Sequence, residues 1–185
     1  MTVKTKLILI LFILVLPITL SAKDLTLSSA LAQVFFSPRG GCTEAIAEAL
    51  NKAKSEVLVQ AYSFTSKPMA KALVDAHKRG VHVEIILDKS NKSSKYNAGD
   101  FMAHAGIPTY IDSAHVMAHN KVIDNEVVIT GSFNFTRAAE EHNAENLLII
   151  HSKELAKDYS ENWQNTRGIA IYIVEDNNRG FIGSS

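Results

Sequence analysis

The sequence predicts an α/β domain built on a largely parallel sheet. Apolar β-type runs and helical segments follow one another as strand, helix, strand, helix, strand between Ala32 and Leu87. That order selects parallel pairing through right-handed crossovers. The 185 residues, 46% hydrophobic and 21% charged, are enough for one domain with a core of its own. No repeat, low-complexity tract or long Pro/Gly/Ser linker divides the chain after its first two dozen residues.

The elements follow from local signals. Ala32 to Phe36 is a short apolar strand, and Ser37-Pro38-Arg39-Gly40-Gly41 reads as a loop. Thr43 can cap a helix running to about Lys54, with Ile46, Ala49, Leu50 and Ala53 on one face. Val57 to Ala61 is a β-rich run suited to burial. Ser66 to Arg79 reads as helix: Pro68 suits its first turn, Met69, Leu73 and Ala76 recur at helical spacing, and Gly80 ends it. Val81 to Leu87 is a strand that starts with period two. Asp88 to Asn97 is a polar loop with a small basic cluster, Lys89, Lys92 and Lys95. A short helix over Tyr96 to Ala105 and a strand over Pro108 to Ile111 come next. Beyond a central apolar run lie a helical turn near Thr136 to Glu141, a strand at Glu145 to Ile150, and a helix from Lys153 to about Thr166 with Leu155, Tyr159 and Trp163 inward. The tail from Gly168 holds one more apolar run, Ile169 to Val174, which can add an edge strand or fray.

The first 22 residues read as a secretory signal. Lys4 and Lys6 supply the positive region, Leu7 to Leu16 the apolar core, and Ser21-Ala22 a small-residue cleavage site. The alternative is an uncleaved membrane anchor, although the apolar stretch is short of the ~20 residues a spanning helix needs. The expected organisation is therefore a leader over 1–22, one folded domain over 23–167 and a tail over 168–185. Formal net charge is zero, and removing Lys4 and Lys6 tips it slightly acidic. No global basic field marks a nucleic-acid binder, so any phosphate-binding surface must be local. Cys42 is the single cysteine, which excludes an internal disulfide.

The stretch HNKVIDNEVVITGSFNFTRAAEEHNAEN, His119 to Asn146, carries the chemistry. Side chains on a strand repeat direction every second residue. His119 and Lys121 therefore leave the same face, a nucleophile beside a fixed positive charge. Ser132 and Asn134 sit just after the return strand, and Glu145 heads the next one. Neighbouring strand ends can bring all five together. His119 can then attack phosphorus without a metal or other cofactor. Lys121 and Asn134, with help from Ser132, can hold the non-bridging oxygens. Glu145 can accept from the other imidazole nitrogen and fix its tautomer. His115 and His119, four apart, have a spacing that binds metal on a helix, but this segment reads as loop and strand. Asp88 follows a strand end, where α/β folds often place site residues, and serves equally well as a turn former.

HNK…TGSFNFT…AEEHNAEN looks like the phospholipase D superfamily, and most closely its small exported bacterial nucleases. The likeness extends from Phe36-Ser37-Pro38 and Gly41-Cys42-Thr43 through Trp163. It implies an α/β/α sandwich with a mixed, largely parallel sheet flanked by helices. The superfamily motif, His-x-Lys-x4-Asp, is used in pairs, and this chain has one copy. The resemblance thus implies a homodimer with the two His119 side chains near the two-fold axis. One would become phosphorylated while the other protonates the leaving oxygen and then activates water. The motif carboxylate falls on Asp124 when counted back from Gly131-Ser132, whereas a literal count forward from Lys121 reaches Glu126. With Asp124 the strand is two residues short, ~7 Å, and a loss of two preserves the facing of its side chains. The implied substrate is DNA or RNA, with Lys89, Lys92, Lys95 and Arg137 as backbone contacts. The same motif also serves phospholipid head groups. A third alternative is a catalytically impaired nucleic-acid binder, because the motif is shortened.

Overall fold

The computed structural model describes residues 24–27, 30–93, 98–115, 125–174 and 182–184. β1 (Leu31–Phe36) leads to α1 (Cys42–Lys52), β2 (Glu56–Ala61), α2 (Lys67–Lys78) and β3 (His82–Asp88). A 3-10 turn (Lys89–Ser93) and α3 (Ala98–His104) precede β4 (Thr109–Asp112). β5 (Val127–Thr130), α4 (Arg137–Glu141), β6 (Asn146–His151), α5 (Lys153–Arg167), β7 (Ile171–Val174) and β8 (Ile182–Ser184) follow.

The strands form two sheets, ordered β2-β3-β4-β7-β8 and β1-β6-β5. β2 and β3 are parallel, as the strand–helix alternation requires, and β4 extends the parallel set. β1, expected to pair parallel with β2, instead pairs antiparallel with β6 in the other sheet, because β6 and not β2 is its hydrogen-bonded neighbour. β7 and β8 add on antiparallel, and β6 runs antiparallel to both β1 and β5. One parallel bridge, Phe64 to Phe135, joins the sheets, and those two rings meet edge-on at 5.3 Å between centroids.

Alternation along the strands sorts the core into two layers. Val57, Val59, Val83 and Ile85 face α1 and α2, which contribute Cys42, Ile46, Leu50, Met69 and Leu73. Leu58, Ile86 and Tyr110 face the other way, onto Trp163 of α5. The Trp163 indole is wholly buried and donates Nε1–H to the Val59 carbonyl at 3.0 Å. Helices thus cover both faces, giving the expected α/β/α arrangement.

Two helix starts differ instructively. Ser152 caps α5, its Oγ accepting from Leu155 N, a local device. α1 begins at Gly41 with φ 77° and no side-chain cap of its own, so the expectation of a Thr43 cap is corrected. Glu140 of α4 supplies the acceptor from a distance, as described below. The tail resolves as a strand, with β7 on β4 and the Tyr110 and Tyr172 rings 5.1 Å apart. Arg167 locks the end of α5 beside them: its Nε donates to Glu84 Oε2 at 2.7 Å and its guanidinium lies 5.0 Å from the Tyr110 ring centre. Burial, then the Glu84 charge, raises the Tyr110 phenol above its ordinary pKa. No helix among the described residues is long and apolar enough to cross a membrane. The leader lies outside the described residues.

Candidate active site

Strand direction decides where the site gathers. β2, β3 and β4 are parallel, so their C-terminal ends share one sheet edge. The Phe64–Phe135 bridge is also parallel, which brings the end of β5 to that edge. β6 starts there because it opposes β5, and β1 ends there because it opposes β6. Ser37, Asp88, Asp112, Ser132, Asn134 and Glu145 therefore all lie along one rim.

Within that rim the contacts are specific. Ser132 Oγ accepts from Asn146 N at 3.0 Å and from Asn146 Nδ2 at 3.3 Å. Phe133 N returns a bond to Asn146 O at 3.1 Å. The close approach needs Gly131: its φ is 132°, and a Cβ there would stand 2.4 Å from Asn146 O. Asn134 turns the chain, its carbonyl accepting from Thr136 N at 2.7 Å. Phe135 then pairs its backbone with Ser63, Thr65 and Ser66. Glu145 Oε1 accepts from Asn143 Nδ2 at 3.0 Å.

A neighbouring loop buttresses Glu145. Ser37 N donates to Glu145 O at 3.0 Å. Ser37 Oγ donates to Asn143 O at 2.9 Å and accepts from Glu145 N at 3.2 Å. The loop is anchored in turn by Glu140, whose carboxylate takes Gly41 N at 3.1 Å and Thr43 N at 2.7 Å. A carboxylate on the first N–H groups of a helix is favoured by both hydrogen bonding and the helix dipole. Arg39, held at φ 61°, sits in the same loop with its N–H on Glu140 O. Burial, and secondarily the Glu140 charge, pushes the Cys42 thiol up to about 11, so this cysteine is a packed residue and no nucleophile.

Of the residues expected at the site, the fold brings Ser132, Asn134 and Glu145 to the shared rim. His119, Lys121 and Asp124 lie outside the described residues, as does Lys95. Glu126 pairs with Lys153 at 2.7 Å. Lys89 Nζ donates to His115 O at 3.1 Å. Arg137 Nε donates to Glu141 Oε1 at 2.7 Å. The sequence reading missed Ser37, Glu140, Asn143 and Asn146. Asn143 and Asn146 flank Glu145 within the quoted motif, and that adjacency was the available signal. Nothing local marks Glu140.

Comparison with known proteins identifies the scaffold. The family model for the cardiolipin synthase, PLD-like domain, matches residues 46–167. The chain belongs to the phospholipase D-like family. It is 43% identical over 143 residues to the phospholipase D of Rickettsia conorii, covering 76% of this chain and 72% of that protein. Nuc from Salmonella typhimurium, a phospholipase D family member of known crystal structure, superposes with a TM-score of 0.73 at 38% identity, covering 76% of this chain and 96% of that one. NucT from Helicobacter pylori shares the fold, with a TM-score of 0.69 at 21% identity over 76% of this chain and 98% of that one. As a phospholipase D-like protein the chain is a phosphodiesterase, and the rim where Ser132, Asn134 and Glu145 converge is its candidate active site.

Proposed function

We propose that this chain is an exported, metal-independent endonuclease that hydrolyses DNA or RNA through a phosphohistidine on His119. The observation that carries the reading is the convergence of Ser132, Asn134 and Glu145 on one rim, in a chain 38% identical to Nuc. His119 attacks phosphorus and displaces the leaving oxygen, forming an N–P bond as the P–O bond breaks. Lys121 and Asn134 balance the charge on the non-bridging oxygens. Ser132 already accepts twice from Asn146, which leaves its O–H proton to offer a phosphate oxygen. Glu145, steadied by Asn143 and the Ser37 loop, holds the histidine ring. Asp124 closes the motif.

The chain acts as a homodimer with the two His119 side chains close to the two-fold axis. The partner's imidazole protonates the leaving oxygen and later draws a proton from the water that splits the N–P bond. Support comes from β1, whose Val34 and Phe36, in the three residues before Ser37, are 56% and 64% exposed. Apolar side chains of that size beside a site are surface that a second subunit covers. Residues 1–22 act as the export signal, 23–167 form the catalytic domain, and the tail completes its sheet.

A phospholipid substrate is the second reading, favoured by the 43% identity to a protein named phospholipase D. Purified protein incubated with plasmid DNA in excess chelator separates the readings. Nicking that is abolished by His119→Ala supports the nuclease. Head-group release from phosphatidylcholine vesicles without nicking supports the lipid enzyme. Salt-sensitive DNA binding with neither activity marks the impaired binder.

A further inference from the structure

The same rim carries a second polar cluster, at the ends of β3 and β4, that the proposed chemistry does not use. Asp88 and Asp112 are paired in the parallel register. They lie two residues beyond Ile86 and Tyr110, hence on the face that α5 covers. Both are buried. Asp88 Oδ1 is turned onto Ser90 N at 2.8 Å. Asp112 Oδ1 accepts from Ala114 N at 3.0 Å and His115 N at 3.1 Å. Its Oδ2 lies 2.8 Å from His115 Nδ1. The Asp112 side chain is 0% exposed, whereas that of His115 is 52% exposed. Lys89, the first residue after β3, reaches the His115 carbonyl with its ammonium.

This arrangement fixes a ring and aims it. A buried carboxylate on Nδ1 sets the imidazole orientation and turns Nε2 toward solvent. In its protonated form the ring donates from both nitrogens, to Asp112 on one side and to an external anion on the other. The Lys89 ammonium has three protons, more than the one carbonyl consumes. With the ring protonated, His115 and Lys89 are two donors that match a phosphate oxyanion.

Position on the rim says which phosphate. From β4 to β3 to β2, and across the bridge to the Phe135 segment, there are three strand spacings, which put His115 roughly 14 Å from Ser132 and Asn134. One phosphodiester held at Ser132 and Asn134 cannot also reach His115. The next phosphates of a continuous nucleic-acid strand can. We propose that His115, seated on Asp112, and Lys89 form a second phosphate subsite that engages the substrate strand a few nucleotides from the scissile bond. The proposal rests on the nuclease reading and names the residues that make the enzyme prefer a polymer.

The test compares kcat/KM on single-stranded DNA of about 20 nucleotides with that on a dinucleotide, the longer probe exceeding typical strand-binding site sizes. His115→Ala and Lys89→Ala should each lower the long-to-short ratio by about tenfold, the loss of one charged contact. His115→Arg, which keeps a cationic donor, should retain most of the ratio. A ratio in His115→Ala equal to that of the unaltered protein would overturn the subsite. So would an equal fall on both substrates, which would mark the Asp112–His115 pair as a turn-holding contact. Unaltered protein that cleaves neither DNA but releases lipid head groups would sink the nuclease reading itself, and the subsite with it.

Discussion

Replacing Glu140 with Ala tests how the rim is held together. The carboxylate accepts from Gly41 N at 3.1 Å and Thr43 N at 2.7 Å, while its backbone carbonyl, which Ala retains, accepts from Arg39 N. Losing a side-chain helix cap costs about 0.5–2 kcal/mol. Losing a negative charge at a helix N-terminus costs about 0.3–1 kcal/mol more. The sum is about 2 kcal/mol, since Glu140 is only half-buried and water replaces part of what is lost. For a domain of this size each kcal/mol moves Tm by about 2–4 °C, so the expected fall is about 4–8 °C. Thermal unfolding followed by circular dichroism reads this directly, and the urea midpoint should fall with an unchanged m value. Glu140→Gln keeps one acceptor oxygen and should fall between the two. The loop that Glu140 anchors carries Ser37, which touches Glu145, so turnover should drop in Glu140→Ala under conditions where the protein is fully folded. A melting temperature within about 1 °C of the unaltered protein would refute the claim that this long-range cap stabilises the fold.

Three further outcomes follow from the same geometry. Gly131→Ala places a Cβ 2.4 Å from Asn146 O at a backbone φ of 132°; it should cost about 2–4 kcal/mol in urea unfolding and remove turnover. Arg167→Ala strands Glu84, whose side chain is 10% exposed against 40% for Arg167; with the Arg end screened by solvent, the loss should be about 1–3 kcal/mol by thermal unfolding, and Lys should not restore it. Cys42, pushed up to about 11 by burial and then by Glu140, should resist thiol reagents in the native protein and react on unfolding. Because its folded pKa is raised, the stability it contributes is whole below the unfolded thiol's pKa and is lost as pH rises through about 11. Cys42→Ala should flatten that alkaline decline in a pH series of urea midpoints.

The sequence made legible whatever depends on neighbours in the chain. α2 was readable because Pro68, the Met69-Leu73-Ala76 spacing and Gly80 all lie within one segment. The parallel pairing of β2 and β3 followed from alternation, whereas β1 escaped it, because its partner β6 lies more than a hundred residues away in the chain. The shared rim of Ser132, Asn134 and Glu145 was readable because all three lie between the end of β5 and the start of β6, in one short stretch of chain. What escaped depends on distant contacts. Thr43 offers a local cap for α1, yet the cap is a carboxylate nearly a hundred residues away. Ser132 read as a phosphate contact only, but its hydroxyl also pins Asn146. The segment after Asp88 read as a loop, whereas Lys89–Ser93 winds into a 3-10 turn that its polar composition does not announce. Nothing local reveals that His115, in a segment that reads as loop and strand, rests on a fully buried Asp112. The tail was ambiguous because its order depends on Tyr172 meeting Tyr110.

Under the proposed function, phosphodiester hydrolysis passes through a phosphorylated His119. Rapid acid-free quenching of the purified protein during turnover, followed by peptide mass spectrometry, tests it most directly. The expected finding is an acid-labile nucleotidyl phosphoramidate on His119 that vanishes in His119→Ala. Full turnover with no adduct, or activity that survives His119→Ala, would contradict it.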